Sequence, residues 1–194
     1  MGKYVLSDLF EGNYPVSQYY GENKPYYAQF GFFLGHEGVD WATPVGTNIL
    51  IPFASGTILQ AAWHPQYGYY VVTWDPKQLC AVWDTHLSTI SCQAGQKLNR
   101  GTVIGRSGAT GNVTGAHLHA GFVETDENAN RKNMDNGNKG FLNILDPNLV
   151  YWTSSNPPAI PPSPDSQIKQ IKLIINTSIS DTEFRNKTRS ILQV

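Results

Sequence analysis

Four residues constrain the fold of this chain more than any others: His36, Asp40, His117 and His119. They fall into two compact patterns, His36-Glu37-Gly38-Val39-Asp40 and His117-Leu118-His119, and the whole chain has only five histidines. Imidazole nitrogen and carboxylate oxygen are the donors that borderline divalent metals prefer, and zinc fits that mix best. If the two patterns meet in space, they supply three ligands and at least one spare histidine. Three protein ligands with one open position describe a catalytic zinc site rather than a structural one.

Alternation sharpens the second pattern. From His117 to Val123, residues His117, His119, Gly121 and Val123 share one face of a strand, and Leu118, Ala120 and Phe122 share the other. On a strand, His117 and His119 point the same way with Cα atoms roughly 6.5–7 Å apart. Both can reach one small site, one as a ligand and one beside it. His36 and Asp40 would be neighbours on a helix, but Gly38 and the later Thr43-Pro44 disfavour helix. A turn or bent strand must bring them together. His86 ends an expected strand between the two patterns, at Trp83-Asp84-Thr85-His86-Leu87. A histidine near zinc but not bound to it can act as general base or steady a developing oxyanion. The fifth histidine, His64 in Trp63-His64-Pro65, reads as an ordinary loop residue.

The rest of the chain reads as β. Few charges (15 %) with many Gly (18), Pro (12) and Tyr (10) favour strands and turns over helices. Strand signals run from Thr47 to Ile51, Gly56 to Ala62, Tyr69 to Trp74 and Gln78 to His86, with Asp75-Pro76-Lys77 as a turn. Residues 1–35 are rich in Tyr and Phe and broken by Gly21-Glu22-Asn23-Lys24-Pro25, which suggests irregular structure with short extended pieces. The Asn-rich stretch 124–140 reads as an exposed loop, and Phe141 to Trp152 as the segment that closes the domain. The expected architecture is a mainly β, antiparallel domain over 1–152, with long loops. Five prolines within residues 153–165 make a stiff linker. In 166–194, Ile168, Ile171, Ile175 and Ile179 recur at helical spacing, which suggests a short helical tail. Such a tail is expected to pack on the domain, a second copy of the chain or a partner.

Other classes of function are disfavoured. The formal net charge is −1 with no basic cluster, so neither a nucleic-acid groove nor an anionic-membrane patch is expected. No stretch approaches the roughly 20 apolar residues of a membrane span, and the N-terminus has no apolar core of signal-peptide length. The small-residue loop Ser107–Gly115 lacks the lysine of a phosphate-binding loop, and no helix pattern follows it. No nucleophile-elbow motif is present. Cys80 and Cys92 lack the spacing of a zinc knuckle; they read as two buried free thiols, with pairing across a hairpin as the alternative that their twelve-residue separation allows.

As a set, four segments resemble the M23 family of zinc peptidases, the lysostaphin- and LytM-like group. They are His36 through Thr47, Thr85-His86-Leu87-Ser88, Gly95 through Gly105, and Ser107 through His119. Order and spacing agree over about residues 30–123. The lead-in Val16-Ser17-Gln18-Tyr19-Tyr20-Gly21, with Phe30-Gly31, is similar to members found in phages. The resemblance implies a compact antiparallel β fold with the zinc site in a groove, the ion bound by His36, Asp40 and His119, and His86 and His117 as the catalytic pair. It implies hydrolysis of peptide bonds in bacterial peptidoglycan, in the stem peptide or cross-bridge, by a wall-remodelling or phage lytic enzyme. Such an enzyme would act outside the cell, in the wall or in the periplasm; a phage member would be virion-associated, with residues 166–194 as the attachment element, or released from the host cytoplasm. The alternative is a catalytically silent module of the same fold that binds or activates; such members typically lose a ligand. Two positions depart from the family's usual pattern. Asp84 stands where an aromatic residue is common. Ala120-Gly121 stand where an aromatic and then an acidic or amide residue are common.

Overall fold

In the computed structural model, residues 2–153 are described. The expected linker and helical tail lie outside them, apart from Thr153. Among the described residues, thirteen strands and one short helix follow in chain order. They are β1 (Tyr4–Leu6), β2 (Val16–Gln18), α1 (Lys24–Ala28), β3 (Gly38–Trp41), β4 (Asn48–Leu50), β5 (Ser55–His64) and β6 (Gly68–Asp75). Then come β7 (Cys80–Leu87), β8 (Thr89–Ile90), β9 (Lys97–Asn99), β10 (Val103–Arg106), β11 (Leu118–Glu124), β12 (Phe141–Leu142) and β13 (Val150–Trp152). The long expected strands are β5, β6, β7 and β11, each within a residue or two of its expected bounds. His64 is the last residue of β5 rather than a loop residue.

The largest sheet has the order β2-β3-β11-β7-β6-β5-β9, with β12 paired to β11, and its pairings are antiparallel. Its two faces carry different cargo because side chains alternate along each strand. One face carries Val39, Trp41, Val71, Val82, Leu118, Ala120 and Phe122, all in the main apolar cluster. Ile49 of β4 and Ile104 of β10 join that cluster, so the small sheet β4-β10-β8 packs over this face. The other face carries Val72, Ala81, Val123 and Phe141 in a second cluster, and beyond it the histidines. Fully buried side chains as large as Trp41, Phe53 and Phe122 each contribute about 1.5–3 kcal/mol on leaving water. One pairing departs from the antiparallel expectation. β1 and β13 run parallel, which ties the chain's first strand to the end of the described domain.

The departures from the family pattern have physical counterparts. Gly121 lies under the Phe141 ring, where a Cβ would meet Cε1 at 2.5 Å. No side chain fits there while Phe141 keeps its place. Asp84 pairs with Ala120 and Val71 across the sheet and so faces the main apolar cluster. It is 0 % exposed, and neither carboxyl oxygen has a hydrogen-bond partner. Burial pushes its pKa up to about 8, against a smaller opposing effect of His119.

Cys80 and Cys92 are free and buried, as expected, and burial raises both thiols. The 124–140 stretch, expected as an exposed loop, is largely turns of mixed exposure, and Asn138 is fully buried. Its Oδ1 accepts from the Leu34 N–H and its Nδ2 donates to the Gly35 carbonyl, fastening this loop beside His36. No helix among the described residues is long and apolar enough to cross a membrane.

Candidate metal centre and groove

Antiparallel pairing of β3 and β11 sets Asp40 directly opposite His119. His36 precedes β3 and is held by its own backbone: its N–H donates to the Glu22 carbonyl, and its carbonyl accepts from the Gly21 N–H. The aromatic lead-in is thus part of the site's frame. Gly38, between His36 and Asp40, is there for space. A Cβ on it would meet His119 Cε1 at 2.6 Å and the Ala120 carbonyl oxygen at 2.7 Å.

Three donor atoms converge. His36 Nε2 lies 2.9 Å from His119 Nδ1, His119 Nδ1 lies 2.9 Å from Asp40 Oδ1, and His36 Nε2 lies 3.2 Å from Asp40 Oδ1. A carbonyl can only accept, so the 3.2 Å contact between His36 Nδ1 and the Tyr19 carbonyl puts a proton on Nδ1 and leaves a lone pair on Nε2. Three acceptors in so small a triangle repel one another unless something positive sits among them. One shared proton satisfies one pair; a cation satisfies all three. Tetrahedral zinc with bonds of 2.0–2.1 Å has ligand–ligand edges of about 3.3 Å, close to those observed. The chemistry of this donor set therefore fits zinc, and among the described residues these three could hold a metal ion together. Asp40 titrates well below the usual carboxylate range: burial opposes this, but contact with the His119 and His36 imidazoles outweighs it.

His86 and His117 stand at the rim of the same triangle. Their ring centroids are 4.9 Å apart, and His117 Nε2 is 3.8 Å from Asp40 Oδ2. Each donates its Nδ1–H to a carbonyl, His86 to Thr110 at 2.9 Å and His117 to Gly115 at 3.0 Å. Both acceptors belong to the small-residue loop 107–115, so that loop orients imidazoles rather than cradling phosphate. His86 reaches the site by a local irregularity. The β6–β7 register shifts here, and His86 has φ of 62°. Thr85 lies opposite His119, yet His86 also lines the groove while Leu87 returns to the main cluster. Two consecutive residues share one face, the hallmark of a bulged strand. Burial, with the nearby His119 and His117, lowers the His86 pKa to about 4.

These residues open into a groove of about 560 Å³. Sequence reasoning missed several of its walls. Tyr26, Tyr27 and Phe30 come from α1 and the turn after it, Gln66 and Tyr67 from the β5–β6 connection, and Glu37 from within the first pattern. Only the density of aromatics before His36 signalled the first of these. His64 stacks on Tyr67 at 4.8 Å and is not among the groove's residues.

The profile of peptidase family M23 matches residues 34–133, more than half of the chain, and the chain belongs to that family. It is 42 % identical over 84 residues to the peptidoglycan DD-endopeptidase ShyA of Vibrio cholerae, an alignment covering 43 % of this chain and 19 % of that protein. The chain spans about a fifth of the length of the curated relatives it matches first. Its fold is similar to that of a zinc containing peptidase from Vibrio cholerae (TM-score 0.56, 24 % identity, 76 % of this chain and 40 % of that one). It is also similar to the catalytic domain of the antimicrobial peptidase lysostaphin from Staphylococcus simulans (TM-score 0.54, 24 % identity, 69 % and 90 %). These two likenesses are of fold.

Proposed function

We propose that this chain is a zinc-dependent endopeptidase that hydrolyses peptide bonds in bacterial peptidoglycan, in the stem peptide or the cross-bridge, and works in the cell wall or periplasm. The observation that carries this reading is the convergence of His36 Nε2, His119 Nδ1 and Asp40 Oδ1 at 2.9–3.2 Å at the groove. Family membership and the likeness to a peptidoglycan endopeptidase support the substrate class. No ligand of the set is missing, which counts against a silent module.

His36, Asp40 and His119 would hold the zinc. When bound, the ion supplies a Lewis acid that polarises the scissile carbonyl and eases deprotonation of water. The remaining work belongs to side chains. With Nδ1–H committed to a carbonyl, His117 and His86 each keep Nε2 as a proton acceptor. His117 takes the proton of the attacking water, and the resulting imidazolium is steadied by Asp40 Oδ2 nearby. His86, kept unprotonated at neutral pH because burial lowers its pKa to about 4, takes up a proton only as the negative oxyanion develops beside it. Once charged, either imidazole can donate Nε2–H to the tetrahedral oxyanion, and His117 can return its proton to the leaving amine.

The test is digestion of purified peptidoglycan with fragments read by mass spectrometry. The account expects new amine and carboxyl ends in peptides, loss of cleavage with chelator, recovery with zinc, and no cleavage by His36→Ala. Intact muropeptides after digestion with zinc-loaded protein, across several wall types, would overturn it.

A further inference from the structure

Glu37 is a groove carboxylate to which hydrolysis assigns no task. It sits between His36 and β3, lines the groove and is 5 % exposed. Its Oε2 is sealed from solvent and has no hydrogen-bond partner. Among the described residues no cation pairs with it: the ion pairs use Glu124 and Asp40. Arg131 is occupied elsewhere, over the rings of Trp83 and Phe141 and donating to the Lys139 carbonyl. A buried carboxylate without a partner is costly. Native structures keep such groups where a ligand completes them.

The walls beside it are aromatic. Tyr27 and Tyr67 line the same groove. Burial raises both hydroxyls, and the Glu37 charge adds to the rise in each, after that of Asp40 for Tyr27. The Tyr27 ring lies 5.0 Å from the His36 ring, so this corner adjoins the donor triangle. An acidic group in a groove that tyrosines also line suits an ammonium group. Three N–H donors satisfy carboxyl oxygens, the positive charge cancels the negative one, and ring faces attract cations. A neutral hydroxyl or amide would leave the charge uncompensated.

We propose that Glu37, with Tyr27 and Tyr67, forms a subsite that selects peptides carrying a free amine close to the bond being cut. The proposal rests on the peptidase reading and adds the chemical class of its substrate. A peptide without that amine loses the pairing and is cut more slowly.

The experiment compares a peptidoglycan peptide bearing a free amine on its diamino acid with the same peptide N-acetylated. Hydrolysis is read as kcat/KM with zinc-loaded protein, and binding by calorimetry with chelator present. Wild type should favour the free amine by about ten- to a hundredfold, the worth of one charge-assisted contact. In Glu37→Gln that preference should shrink towards one, and in Glu37→Asp it should survive in part. A merely structural role would change both substrates alike. Equal treatment of the two peptides by wild type, in hydrolysis and in binding, would overturn the proposal, as would an undiminished preference in Glu37→Gln. If Glu37→Gln does not fold, the wild-type comparison and Tyr67→Leu decide. If neither peptide is cut, the peptidase reading fails, and the calorimetry still decides the subsite.

Discussion

Asp84 shows how much a single side chain can ask of its surroundings. It is a carboxyl in an apolar core, fully buried and without a hydrogen-bond partner. Burial first of all raises its pKa to about 8, so the folded chain holds a proton that the unfolded chain releases near pH 4. The native state then binds more protons between about pH 4 and 8, and stability falls as pH rises through that window. Denaturant titrations of wild type and Asp84→Asn at a series of pH values check this. The difference between the two should grow in the variant's favour from pH 5 to 8, by a few kcal/mol at most. Parallel curves would refute it. The residue's identity was legible in the sequence as a departure from the family. Its consequence was not, because nothing local says that position 84 faces the core.

At the scale of elements, alternation carried the reading and its exceptions limited it. β11 was read correctly because H-x-H with Leu, Ala and Phe between keeps strict period two from His117 to Val123. β7 looked equally regular, yet its bulge sets Thr85 and His86 on one face, and period two cannot anticipate that. α1 went unseen: five residues make too little of a helix to show a period, and Tyr26, Tyr27 and Phe30 read as aromatics in irregular chain. Short strands such as β2 and β12 are defined by partners far away in sequence, not by their own residues. The bulge also carries strain. A non-glycine residue at φ of 62° costs on the order of 1 kcal/mol. His86→Gly should therefore be about 1 kcal/mol more stable than His86→Ala in thermal unfolding, with both losing hydrolysis. Equal stability of the two would mean that the left-handed conformation stores nothing.

At the scale of the whole molecule, one sheet does what the sequence patterns required. The β3–β11 register brings residues nearly eighty positions apart into contact, and the lead-in segment presses His36 onto that pair. The meeting of the two patterns was legible because each carries metal-ligand chemistry that is useless alone. The residues that wall the groove were not, since they come from α1, the β5–β6 connection and the 107–115 loop, each placed by tertiary packing. The central claim is that His36, Asp40 and His119 hold one zinc ion while His86 and His117 stay free beside it. X-ray absorption at the zinc edge of the loaded protein tests this most directly. The account predicts a shell of nitrogen and oxygen only, at about 2.0–2.1 Å, with the scattering of two imidazoles. A sulfur scatterer at about 2.3 Å, or the signature of three or four imidazoles, would contradict it.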